Sequence, residues 1–493
     1  MRGMVRLVAV VLLLAGCAVE PLTPTTEVGA DSGVVVLRLA TNAAPAGFFA
    51  SYESVQVVSD AGTYTLSRRA PGVVRTGVFT GALAPGRYRV SRFETVGQNF
   101  VRSVSVPSAF GSFTVTPGQL TDLGTLIYQP AGGNKVLFAR TSSETETREL
   151  VAAAFPKVAQ AVLARPVQGW DSSANAADLA KVFAGMRARV APVNAPLVAP
   201  SGAVYAGSAL GQVLARRAGE MAWTLLDTGT TREILTVIED EAAIVAGGEE
   251  GFLARSADGG RSWQRMAAPD GGAVLHLVRR PNAGLVLVSL FDRTMTVWER
   301  TGERWQVRNQ FPFERSFNVG ALAPHVVSGP RQLYVGMPNG TIHALDFASG
   351  EWQRHEAPFS LITLATAGDV LYGYGAKMTN SIWISEDGAK TWRDLDTSRR
   401  AGAPAFSDAH TGYVLYIKEI YGGKISVQMT KDAGRTWTEG GVLPDAAAGR
   451  VIVMKPMVVH PSGPTLLAFG SNGAVFSTRD LGATWMEERR GAF

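Results

Sequence analysis

Four stretches of the chain set a hydroxyl, a carboxylate, glycine or alanine, a second hydroxyl and a tryptophan within eight residues: SADGGRSW at 256–263, SEDGAKTW at 385–392, TKDAGRTW at 430–437 and TRDLGATW at 478–485. Acids beside hydroxyls could act as general acids, bases or nucleophiles. Turn chemistry accounts for them better. An Asp opening a hairpin loop accepts bonds from backbone N–H groups two residues on, Gly takes the positive φ the loop needs, and Ser or Thr adds a local bond. The Trp then packs back over the turn, burying on the order of 150–250 Å². Asp258, Asp387, Asp432 and Asp480 are therefore read as turn clamps. Their hairpins are completed by Ser256, Gly260 and Trp263, by Ser385 and Trp392, by Thr430, Gly434 and Trp437, and by Thr478, Gly482 and Trp485. Ala389 stands where the other three have Gly, so with Gly388 before it that turn is expected to take a different type.

These stretches belong to a longer repeat. From about residue 195 an apolar strand, a short loop, a run ending in Gly, a turn, another strand, a polar hairpin and a Trp recur. Trp223, Trp263, Trp305, Trp352, Trp392, Trp437 and Trp485 mark seven units at intervals of 40 to 48 residues. Four strands per unit at that period describe a propeller blade, and seven blades close a ring. The SADGGRSW-type motif resembles the Asp-box, or BNR repeat, of sialidases, sortilin-like receptors and the photosystem II assembly and repair factor family. In such a ring the third strand lies about 10 Å outside the innermost, at about 4.8 Å per strand. Motifs of neighbouring blades then sit at least roughly 13 Å apart, beyond the roughly 5 to 9.5 Å that pairs the two carboxylates of a glycosidase.

Other chemistries find little support. The resemblance to sialidases implies an arginine triad, a Tyr–Glu pair and a Phe- or Tyr-Arg-Ile-Pro tetrad, and no such tetrad occurs. His276, His325, His343, His355, His410 and His460 show no short ligand spacing, so each is read as surface or loop and no metal or cofactor is expected. AGGEEG at 246–251 lacks the Lys-Ser/Thr of a phosphate loop and is read as a blade turn.

The N-terminal part reads differently. MRGMVRLVAVVLLLAGC carries Arg2 and Arg6, an apolar run and small residues, the build of a secretory signal. Leu14-Ala15-Gly16-Cys17 resembles the lipobox of bacterial lipoproteins. That implies removal of residues 1–16, acylation of Cys17, the only cysteine, and, with Ala18 rather than Asp following, the outer membrane. Several acyl chains make a stable anchor. The formal charge of +5 falls to +3 without Arg2 and Arg6, too small and dispersed a charge to point to nucleic acid. Residues 17–32, polar and rich in Pro and Thr, are read as a tether. Short β-branched runs over 33–130 predict a small β-sandwich, and LAPGRYRV with FTVTPGQLTDLGTLIYQP resembles carboxypeptidase-regulatory-like or transthyretin-like modules. Residues 131–194 hold two helical patterns read as a connector, with Pro156 kinking or splitting the first.

The expected whole is mainly β: signal, tether, sandwich, helical connector and a seven-bladed propeller over 195–493. The expected role is a lipid-anchored, non-catalytic scaffold for a protein partner in the envelope, with a glycan-binding or sialidase-like propeller as the alternative. Loops opposite the motif hairpins supply the candidate binding face: Asp292, Arg293, Arg315, Lys377, Arg399, Arg400, Lys418 and Tyr421, with Glu249, Glu250, Phe313, Glu419 and Lys424 beside them.

Overall fold

The structure, a computed structural model, describes residues 17–41, 52–68, 77–97, 100–130, 136–171, 176–193, 196–280, 284–313, 324–377, 379–395, 400–418, 424–444, 458–470 and 473–490. The chain divides into two units, one holding 1–41 and 49–186, the other 187–493 with 42–48. Among the described residues no helix is long and apolar enough to cross a membrane.

Among the described residues the first unit is a sandwich of ten strands: β1 (Cys17–Val19), β2 (Gly33–Thr41), β3 (Ser54–Ser59), β4 (Gly62–Ser67), β5 (Gly77–Leu83), β6 (Gly86–Gly97), β7 (Phe100–Ser105), β8 (Phe113–Val115), β9 (Leu120–Pro130) and β10 (Val136–Thr141). One sheet runs β1-β4-β3-β6-β7 with β8 on β6, the other β10-β9-β2-β5. Val35, Leu37, Leu39, Val55, Val57, Leu66, Phe79 and Phe93 fill the space between them. All nine residues of β2 are buried, so its other face is covered too.

That cover is helical. In α1 (Glu144–Ala154), Ser143 caps the first turn by accepting the Glu146 N–H, and Leu150 and Val151 are buried. Arg38, pointing out of the back of β2, donates to Thr147 Oγ1 at 2.8 Å and to the Glu146 carbonyl at 3.1 Å. Pro156 opens α2 (Pro156–Val162), where it lacks no hydrogen bond, so the helix is split at Phe155, the second of the two outcomes expected. Leu179 of α3 (Ala176–Arg187) also packs on the sandwich core. The helices read as a connector are thus the outer layer of the first unit.

Residues 17–32, expected as a tether, are likewise part of it. β1 pairs in parallel with β4, Cys17 opposite Tyr64 and Val19 opposite Leu66. Leu22 is buried and its N–H donates to Thr80 Oγ1 on β5. The segment closes the open edge between the two sheets, which its polar composition concealed.

In the second unit, seven four-stranded antiparallel sheets follow one another among the described residues, over 197–227, 234–265, 273–312, 325–356, 360–394, 400–442 and 458–489. They are the blades of a propeller. From blade two to blade seven the first strands of successive blades abut, so these blades begin at the inner wall. Where the second strand ends in glycine, in blades one, two and four, the reason is steric: a Cβ on Gly207 would meet the Ile234 carbonyl oxygen at 2.3 Å, and one on Gly336 the Leu361 side chain at 2.3 Å. Each blade keeps its own four strands, and side chains close the ring. Trp223 and Val204 of blade one pack on Leu467, Phe469 and Val475 of blade seven.

Candidate functional site

The four motif hairpins join the third and fourth strands of blades two, five, six and seven and share one geometry. Ser256 Oγ donates to Asp258 Oδ1 at 2.8 Å and accepts the Gly260 N–H at 2.8 Å. Asp258 Oδ1 accepts the Ser262 N–H at 2.9 Å, and Oδ2 the Ser262 hydroxyl at 2.6 Å. Ser385–Asp387–Ala389–Thr391, Thr430–Asp432–Gly434–Thr436 and Thr478–Asp480–Gly482–Thr484 repeat the pattern. The carboxylate therefore takes the amide four residues on rather than two, while the hydroxyl before it takes the Gly amide. Ala389, expected to change the turn, adopts the same left-handed backbone (φ 74°) as Gly260 (88°) and is buried.

These bonds set the acidity of the four groups. The Thr436 hydroxyl, then its amide, hold Asp432 down at about 2, and Thr484 does the same for Asp480. At Asp387 burial pushes upward, but the Thr391 and Ser385 bonds together prevail, to about 2. Ser262 holds Asp258 well below the usual carboxylate range. Such groups stay ionised and occupied, poor material for a proton donor at neutral pH.

Each hairpin also staples its blade to the preceding one. The Ala433 carbonyl accepts the Tyr372 hydroxyl of blade five at 3.2 Å, and the Leu481 carbonyl accepts the Gly441 N–H of blade six at 2.9 Å. Gly260 lies so close to Leu226 of blade one that a Cβ would come within 2.5 Å of it.

At the opposite end, turns between second and third strands bond to the linkers between blades. The Gly211 N–H donates to the Arg232 carbonyl, Glu249 to Glu233, Gly251 to Gly272 and Ala357 to Gly340, while Phe313 donates to Arg293. This stitching alters the candidate face. Glu249 is buried, and Glu250 pairs with the buried Arg232 at 3.3 Å, so neither is the exposed acid expected. Phe313 is buried as well. Arg400 donates to Gln428 Oε1 at 2.7 Å and lies 5.0 Å over the Trp437 ring, a packing role inside blade six. Asp292, Arg293 and Lys377 are exposed on blades three and five. Lys418 of blade six, which pairs with Glu439 at 2.6 Å, and Lys424 are also accessible. Arg315, Arg399, Glu419 and Tyr421 lie outside the described residues.

The histidines correct the sequence reading. Only His410 sits in a turn; the other five lie in strands. His276, His325 and His460 are on the first strands of blades three, four and seven, along the inner wall. His276 Nε2 is 3.2 Å from Ser328 Oγ, linking blades three and four. Burial pushes His276 and His325 down to about 4. His343 stacks on Phe311, ring centroids 4.1 Å apart. Also missed was Asp270, whose carboxylate accepts the Ser289 hydroxyl at 2.8 Å and the Gly272 N–H at 3.0 Å; burial raises its pKa. Among the described residues no three His, Cys, Asp or Glu are grouped to hold a metal ion.

No family model matches the chain, and no curated protein matches it. Among solved structures it is similar to YCF48 bound to D1 peptide, at 14% identity over 57% of this chain and 95% of the other, with a TM-score of 0.41. It is also similar to an ancestral GH74 enzyme, at 14% identity over 61% and 46% with a TM-score of 0.45. BamB from Moraxella catarrhalis is similar at 12% identity over 59% and 83%, with a TM-score of 0.37. The propeller assignment rests on the seven sheets of the chain itself.

Proposed function

We propose that this is a lipid-anchored envelope protein of the outer membrane whose propeller serves as a non-catalytic scaffold for binding or assembling a protein partner. One observation carries the non-catalytic part: the four carboxylates most suggestive of chemistry are each spent on a neighbouring hydroxyl and amide while their hairpins hold adjacent blades together. The lipobox at Leu14–Cys17 supports the anchor. A sialidase-like propeller would bring arginines to a sugar carboxylate, whereas the buried Arg232 is already matched by Glu250. The binding face of this reading is the end opposite the motif hairpins, with Asp292, Arg293 and Lys377 as its accessible groups.

The test is an affinity pull-down from detergent-solubilised envelopes with the lipidated protein as bait, beside a variant carrying Asp292→Lys and Arg293→Glu. A protein captured by the first and lost with the second supports the scaffold. Sugar eluting without protein would replace it with the glycan reading. Incorporation of an alkyne fatty acid that disappears in Cys17→Ser tests the anchor.

A further inference from the structure

The way Cys17 is held says where the membrane must lie. A lipoprotein body usually follows a flexible stretch, which lets it swing away from the bilayer. Here the first residue after the expected cleavage is already in a strand. Cys17 pairs with Tyr64 and Ala18 with Thr65, and Val19 packs against the bare backbone of Gly81, where a Cβ would approach its Cγ1 to 2.6 Å. Leu22 is buried behind it, and Glu27 pairs with Lys157 of α2 at 2.7 Å. No slack is left between the thiol and the fold.

β1 runs parallel to β4, so the chain enters the sandwich at the pole carrying the β3–β4 hairpin tip, Ser59–Gly62. Tyr64 lies two residues in from Gly62. At about 3.3 Å per residue the tip therefore projects about 7 Å beyond the level of Cys17. Asp60, Ala61 and Gly62 are exposed there, as are Ala84 and Pro85 in the turn joining β5 to β6. Two strands in from β4, Arg89 opposite Val58 is exposed beside them, a cation suited to anionic headgroups.

We infer that acylated Cys17 seats this pole of the sandwich in the headgroup layer of the bilayer, the β3–β4 tip reaching past the anchored sulfur. The inference rests on the acylation reading. Cys17 is the only native thiol, and acylation blocks it, so a single introduced cysteine can be labelled.

Full-length lipidated protein carrying Ala61→Cys, or Ser103→Cys toward the other end of the sandwich, is labelled with bimane. It is then reconstituted in phosphatidylethanolamine–phosphatidylglycerol vesicles bearing a headgroup nitroxide. Quenching at position 61 is expected to exceed that at 103 several-fold, and to fall to the same level when a flexible Gly-Ser stretch is inserted between Cys17 and Ala18. Equal quenching at the two sites in protein whose Cys17 carries an acyl label overturns the seating alone. Absence of acyl label overturns the acylation reading, and the seating with it.

Discussion

Arg216 and Glu488, 272 residues apart in sequence, form an ion pair at 3.1 Å between the first and last blades, both side chains almost fully buried. Trp223 Nε1 donates to the same carboxylate at 2.7 Å, and Ser462 Oγ accepts from the Arg216 guanidinium at 2.8 Å. Removing one partner of a buried pair leaves the other charged and unmatched, at a cost of about 3–5 kcal/mol. Glu488→Ala should therefore lower the unfolding free energy of the propeller by about that much, read from urea denaturation of the full chain. A change under about 1 kcal/mol would mean that the apolar cluster of Val204, Trp223, Leu467 and Phe469 closes the ring unaided.

Asp432→Ala should lower the melting temperature without abolishing capture of a partner, since its carboxylate serves the turn. Loss of capture in a protein of unchanged stability would assign Asp432 to binding.

Acid should act in two windows. His276 and His325, held near 4 against an ordinary value of about 6.5, remain neutral in the fold while the unfolded chain takes up protons. Their stabilisation is complete above about pH 6.5 and is lost as pH falls toward 4. The motif carboxylates are shifted in the same direction but titrate in a lower range. Depressed to about 2 at Asp387, Asp432 and Asp480, they contribute stability above about pH 4 that fades as pH drops toward 2. Melting temperature against pH should fall in both ranges. His276→Gln should flatten the upper one, and an unchanged slope there would remove the inner-wall histidines from the account.

Arg400 and Arg293 should separate packing from surface. Arg400→Glu removes the bond to Gln428 and the stack on Trp437, so it should lower the melting temperature. Exposed Arg293→Glu should stay within about 0.5 kcal/mol. Equal effects would contradict the different burial of the two side chains.

Local order was plain in the residues. The recurring Trp, the Gly closing the second strand of blades one, two and four and the Ser/Thr-x-Asp hairpins carry their turn chemistry within eight residues, so blade number and motif role could be read along the chain. The β-branched run of β2 likewise announces a strand of the sandwich.

Contacts distant in sequence decided the rest. Pairing of β1 with β4 turned an apparent tether into an edge strand, because neither Pro- and Thr-rich composition nor length reveals a partner some 47 positions away. Arg400 and Glu250 looked like surface groups until Gln428, Trp437 and Arg232 arrived beside them, and three of the scattered histidines, His276, His325 and His460, came to line an inner wall only when the blades were set in a ring. Composition and short-range spacing specify turns and strands, since those depend on neighbours in the chain. Burial, ion pairing and which face meets a membrane or partner depend on neighbours in space, and only the fold supplies them.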